Sequence, residues 1–220
     1  MLSADLINDL IPPLKTSDSG DKALGLMEDF KISHLPIVNN TQFLGLITED
    51  QLIEMDDPSE PIGSLALNLH KPYVYEWQHM YDVMRLMSEM KLSVVPVLDE
   101  KDNYLGLISI NTLIEYFSTI TASDNPGAVL VLEIDTRNYL LSEIARIVES
   151  NDAHVLSSYI HSNRDSTRMK VTLKIDKEDV GGIIQTFQRF NYQVYSLYRN
   201  NNKNDDTKER FDAFMRYLNI

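Results

Sequence analysis

A chain of 220 residues, 43% of them hydrophobic, can bury one sizeable core or two modest ones, and it reads as a folded protein, not a disordered tail. The absence of cysteine excludes disulfides and thiolate metal sites and fits a reducing compartment. A net charge of −13 argues against nucleic acid, because affinity for the phosphate backbone comes from clustered Lys and Arg. The acidity is one-sided: residues 1–120 hold 7 basic and 19 acidic side chains, against 13 and 14 in the remainder.

The opening "MLSADLINDL" has neither a basic start nor an unbroken apolar run, so no secretory signal is expected. No later segment approaches the roughly 20 apolar residues that cross a bilayer. The expectation is a soluble, cytoplasmic protein with neither a membrane nor a nucleic-acid partner.

In chain order, "KALGLMEDF" from Lys22 places Ala23, Leu26 and Met27 on one helical face. The strands "HLPIV" and "FLGLIT" follow, joined by the turn "NNTQ", and "EDQLIEM" closes as a helix. The same order then returns. "DVMRLMSEM" from Asp82 answers with Val83, Leu86 and Met87, and Pro96 matches Pro36 at a shift of 60. Lys91, Leu92 and Ser93 match Lys31, Ile32 and Ser33 at the same shift. After the proline the second copy has one extra residue, so Gly106 matches Gly45 at a shift of 61; the insertion falls in the turn "DEKDN" between "VVPVL" and "YLGLIS". "INTLIEYF" closes the second copy.

"SHLPIV" or "SVVPVL" after a helix, then "LGLIT" or "LGLIS" leading into another, resembles the CBS domain, named after cystathionine beta-synthase. The resemblance covers about the first 120 residues, with repeat 1 at 1–60 and repeat 2 at 61–120. It implies an α+β fold in which two βαββα-type repeats cover one another's apolar sheet faces as a pseudo-twofold module. It also implies two clefts that often bind adenosine compounds. The base would lie against Ile32, Ser33 and His34, or Leu92, Ser93 and Val94. Thr48 and Ser109 fit the ribose position that ends the second strand. The Asp that usually follows three residues later is replaced by Gln51 and Thr112, and Asp50 stands one position early, about 100° away on a helix. Asp18 and Gln78 complete the candidate cleft residues. No Arg precedes Arg85, which with Lys15, Lys22, Lys31 and Lys71 makes up the candidates for phosphate contact, most of them as easily solvent-facing helix residues. Adenosine, AMP, ATP or S-adenosylmethionine are the candidate regulatory ligands, none of them a required cofactor.

"TASDNPGAV" is turn and linker chemistry, so residues 121–127 read as a linker. From 128 to 199 the order is strand "VLVLEI", helix "LLSEIARIVESN" with Leu141, Ile144, Ala145 and Val148 on one face, strand "HVLSSYIH", strand "RMKVTLKI", helix "VGGIIQTFQRF" and strand "YQVYSLY". This ferredoxin-like βαββαβ pattern resembles an ACT domain. A CBS pair followed by an ACT domain is similar to the acetoin-utilisation regulator (AcuB) family. ACT domains that bind amino acids usually carry Pro-Gly at the first strand-to-helix turn. Here Asn138 and Tyr139 stand there, and Tyr139 would fill the space that Gly keeps open. Packing and dimerisation are favoured for this domain, with Arg137 and Asn138 as the polar candidates if an amino acid binds.

Residues 200–220 form a polar stretch and then "RFDAFMRYLNI", whose Phe211, Phe214, Met215 and Leu218 have the spacing of an amphipathic helix. The five histidines, His34, His70, His79, His154 and His161, show no metal-ligand spacing, and no nucleophile elbow or phosphate loop occurs. No catalytic residue is expected. Two functions follow: a non-catalytic module that senses a small metabolite through a homodimer and acts on an unidentified regulated protein, or a ligand-free dimerisation and interaction scaffold.

Overall fold

The computed structural model describes residues 1–64, 69–162 and 166–199. It divides into two compact units, Met1–Tyr116 and the part from Phe117 onward.

In the first unit the two repeats form the same local structure by the same means. Helix α1 (Gly20–Phe30) is capped by Ser19, whose hydroxyl accepts the Lys22 N–H at 3.3 Å. Helix α3 (Met80–Met90) is capped by His79, whose Nδ1 accepts the Tyr81 N–H at 3.3 Å. Both helices stop on a lysine in the left-handed region, Lys31 at φ 55° and Lys91 at φ 57°. α1 buries Ala23 and Met27, α3 buries Val83 and Met87, and Leu26 and Leu86 are half-buried beside them. The hairpin β1 (His34–Asn39) with β2 (Gln42–Thr48) leads into α2 (Glu49–Ile53). In the second repeat a short β3 (Val74–Tyr75) runs parallel to β4 (Val94–Leu98), which pairs with β5 (Tyr104–Ser109) and leads into α4 (Ile110–Ile120). Leu35, Ile37 and Ile47 share one core with Val95, Val97, Leu107 and Ile108, so neither repeat has a core of its own.

The segment preceding each repeat crosses to the other. The Asn8 N–H donates to Leu107 O at 2.8 Å in repeat 2, and the Leu46 N–H of repeat 1 donates to His70 O at 2.9 Å. These crossings account for the glycine of each "LGL". A Cβ on Gly45 would stand 2.5 Å from Leu69 Cβ, and one on Gly106 would run into the Ile7 side chain.

The second unit is a four-stranded antiparallel sheet in the order β7-β8-β6-β9, with helices in the split β-α-β arrangement. Its elements are β6 (Ala128–Asp135), α5 (Leu141–Glu149), β7 (Val155–Ser162), β8 (Arg168–Ile175), α6 (Gly181–Arg189) and β9 (Gln193–Arg199). Ala128, Leu130, Leu132 and Ile134 alternate into the core from β6. α5 buries Ile144, Ile147 and Val148. Leu141, placed on this stripe by sequence, is the first residue of the helix and is 49% exposed, while Ile147 takes the inward position. The expected C-terminal helix, with Phe211, Phe214, Met215 and Leu218, lies outside the described residues. Among the described residues no helix is long and apolar enough to cross a membrane, and no group of acidic and histidine side chains is arranged to hold a metal ion.

Candidate ligand cleft

The two repeats meet where their proline strands begin. The hydroxyl of Ser93 accepts the Ser33 N–H at 3.0 Å and lies 3.1 Å from His34 Nδ1. The Ser33 hydroxyl lies 3.0 Å from the same nitrogen, which also accepts the Ser93 N–H at 3.4 Å. Accepting on Nδ1 requires a neutral ring with its proton on Nε2. Burial pushes the His34 imidazole below its ordinary range, against the opposing pull of the Asp50 carboxylate.

Beside this junction lies an open cleft of about 830 Å³ lined by Asp21, Leu24, Gly25, Met27, Glu28, Lys31, Ile32, Ser33, Glu49 and Ser93. α1 supplies five of the lining residues, the turn between α1 and β1 three more, and the first residue of α2 and Ser93 of the second repeat the others. Gly25 sits in the middle of α1 with open space where a Cβ would stand. A glycine inside a helix costs about 1 kcal/mol relative to Ala, and here it keeps the cleft wall bare. Three carboxylates, Asp21, Glu28 and Glu49, face one ammonium, Lys31.

Of the sequence candidates, Ile32, Ser33 and Ser93 line this cleft and His34 is bonded to its edge. Leu92 is buried in the core. Thr48 and Gln51 are engaged with each other: Gln51 Oε1 accepts the Thr48 N–H at 3.0 Å, and Thr48 Oγ1 accepts the Gln51 N–H at 3.2 Å, a capping box for α2. Ser109 is 1% exposed and bonded to Thr112 at 2.9 Å, and Asn8 donates to Thr112 Oγ1 at 3.3 Å. Asp18 and Gln78 hold turns at equivalent places, accepting the N–H of Lys15 at 2.8 Å and of Tyr75 at 2.7 Å. Asp18 also takes the Lys22 ammonium at 2.7 Å. Burial works against its charge, yet these partners hold the carboxyl below its usual range. Neither Asp18 nor Gln78 lines the cleft.

Asp21, Gly25, Glu28 and Glu49 were not singled out by sequence. The first three form the polar side of α1, which periodicity alone assigns to solvent. A glycine inside an otherwise regular helix was the one available signal.

In the second unit Arg137 and Asn138 lie on a single exposed turn, Thr136–Asn138. The Arg137 guanidinium is held by Asp135 at 3.1 Å, which depresses the Asp135 carboxyl.

Residues 4–56 and 71–119 match the family model of the CBS domain, so the chain carries a tandem CBS domain pair. Among solved structures, it is similar to a CBS domain pair/ACT domain protein from Thermotoga maritima, at 18% identity and a TM-score of 0.48, over 54% of this chain and 98% of that one. It is similar to CBSX2 in complex with AMP, at 20% identity and a TM-score of 0.47, over 54% and 97%. It is also similar to the cytosolic domain of the Mg2+ channel MgtE in complex with ATP, at 18% identity and a TM-score of 0.43, over 52% and 48%.

Proposed function

We propose that the tandem pair is a non-catalytic regulatory module that takes an adenosine-type ligand in the cleft beside Ser33 and Ser93, and that it works as a homodimer. The open cleft, with Gly25 keeping its α1 wall bare, carries this reading. Ile32 and Leu24 offer apolar surface to a base, and the serine hydroxyls and the Glu49 carboxylate offer hydrogen bonds to a nucleoside. With three carboxylates around one ammonium, a triphosphate meets like charge, so the neutral nucleoside is preferred to ATP. We further assign the second unit to the ACT type, on its strand order and its helix placement, and the whole chain to the architecture of the acetoin-utilisation regulators. The domain limits of this reading are 1–60, 61–120, 121–127, 128–199 and 200–220. Arg137, already paired with Asp135, favours packing over amino-acid binding there.

Titration calorimetry of adenosine, AMP and ATP tests the cleft. Adenosine is expected to bind more tightly than ATP, and Gly25→Gln, which places a side chain in the open space, to weaken adenosine at least tenfold. Tighter binding of ATP would overturn the electrostatic reasoning.

The ligand-free scaffold is a second reading, favoured by the Thr48–Gln51 and Asn8–Thr112–Ser109 hydrogen bonds, which occupy the polar groups expected to reach a ribose. It stands if none of the three compounds binds.

A further inference from the structure

One face of the sheet in the second unit packs on α5 and α6. The opposite face is built from the alternate residues: on β8, Thr172 and Lys174 between the core positions Val171, Leu173 and Ile175. Lys174 is only 8% exposed. Its cross-strand neighbours are Ser157 on β7 and Val129 on β6, by the register of the sheet. All three line a cavity of about 550 Å³ whose remaining walls include Phe117, Tyr159 and Thr172. No carboxylate lines this cavity. Among the described residues the Lys174 ammonium has neither a hydrogen bond nor an ion pair. The side chain is buried along its stem while its ammonium opens on the cavity, where the protein supplies no counter-charge. The other cations of β8 on this face are accounted for: Lys170 lies over the Tyr195 ring at 3.6 Å and Arg168 is bonded to Glu133 at 3.1 Å.

We propose that this cavity binds a small organic carboxylate bearing an aromatic or branched apolar group. The carboxylate supplies the missing partner of Lys174, with the Thr172 hydroxyl beside it, and the apolar group lies against Phe117 and Val129. The volume is that of an ordinary small-molecule site. A single ammonium matches a single negative charge and not a phosphate dianion. The lack of a carboxylate in the lining leaves nothing to receive an α-ammonium, so a simple acid is preferred to the corresponding amino acid. The site is separate from the turn that carries Arg137 and Asn138, which follows the other end of β6.

The test uses the full chain, with phenylacetate, acetate, phenethylamine and inorganic phosphate as probes, followed by amide chemical shifts and calorimetry. Phenylacetate is expected to bind saturably, to shift the amides of Ser157, Thr172 and Lys174, and to lose at least tenfold in affinity in Lys174→Met; phenethylamine is expected not to bind. Without ligand, Lys174→Met should melt at the wild-type temperature or above it, since the ammonium it removes has no protein partner and its apolar stem is kept. Phe117→Ala, at a partly exposed side chain, keeps the test available if Lys174→Met does not fold: it should shrink the preference for phenylacetate over acetate. No saturable phenylacetate binding, binding unchanged in Lys174→Met, a preference for phenylacetate over acetate unaffected by Phe117→Ala, or phosphate binding as tightly as phenylacetate would each overturn the proposal.

Discussion

Ser93 Oγ accepts the backbone N–H of Ser33 at 3.0 Å, a hydrogen bond between residues that hold the same place in two repeats. The reverse bond is not made in kind. The Ser93 N–H goes to His34 Nδ1, because repeat 1 has His34 where repeat 2 has Val94. Ser93 thus serves both strands, whereas the Ser33 hydroxyl reaches the imidazole alone. Ser93→Ala leaves a part-buried N–H without its acceptor and is expected to cost about 1 kcal/mol or more, and Ser33→Ala less than half of that. Urea unfolding of the two variants measures the difference, and equal losses would contradict the assigned geometry.

The two "LGL" glycines make a sharper pair. Gly45 has φ +150°, and its added Cβ would meet Leu69 Cβ at 2.5 Å and His70 O at 3.0 Å. Gly106 would meet mainly the Cγ2 methyl of Ile7. Both Gly→Ala changes are expected to destabilise, by about 1–3 kcal/mol. The rescue differs. Trimming Ile7→Ala relieves Gly106→Ala, so that the double variant loses less than the sum of the single changes. Leu69→Ala leaves the offending Cβ in place and the backbone strain intact, and it does not rescue Gly45→Ala. Thermal melts of the two double-mutant cycles distinguish these outcomes.

Those glycines also mark how far the sequence could be read. The repeat, its shift of 60 changing to 61, and the order of helices and strands all follow from period and turn chemistry, because each element's own residues decide them. The crossing of the segments at Asn8 and His70 onto the other repeat does not, since a backbone pairing between distant residues leaves no local pattern; only the paired glycines hint at it. The same limit applies to the cleft. Ile32, Ser33 and Ser93 were legible from the repeat, while Asp21, Glu28 and Glu49 look like any solvated helix face until the fold turns them toward one space. Thr48 and Ser109 were legible as strand ends, yet their hydroxyls serve helix starts, a use that competes with ligand binding and depends on the residue three positions later.

His34 gives the chain a pH response near neutrality. Burial holds its imidazole below the ordinary value of about 6.5, despite Asp50. As pH falls through about 6.5 the unfolded chain takes up the proton first. Stability is therefore full above that value and is lost as pH drops toward the folded one. The depressed carboxyls, Asp135 beside Arg137 and Asp176 on the His154 N–H, give losses of the same sign in a lower window, as pH falls through about 3.9. Urea midpoints from pH 7.5 to 5 should fall in the wild type and stay flat in His34→Asn, which keeps an acceptor near the Ser93 N–H without the titration. An equal slope in the variant would place the response elsewhere.

The final prediction concerns the homodimer. Ile53 on α2 and Ile114 on α4 occupy equivalent places in the two repeats at the shift of 61, and both are exposed, at 65% and 61%. Large aliphatic side chains at matching places on both closing helices are what a side-by-side association with a second copy requires. A twofold interface uses the same patch on each partner, and the internal pseudo-symmetry lets the Ile53 patch of one chain face the Ile114 patch of the next or its own equivalent. A fully buried Ile is worth about 1.5–3 kcal/mol, and each appears once per chain, so a dimer would bury four of them. Light scattering of the wild type should give about twice the 25.3 kDa chain mass. Ile53→Glu with Ile114→Glu should give the single-chain mass at micromolar concentration while circular dichroism stays unchanged, because neither side chain contributes to the core. A dimer that persists in the double variant would mean that these helices are not the interface, and a monomeric wild type would remove the homodimer altogether.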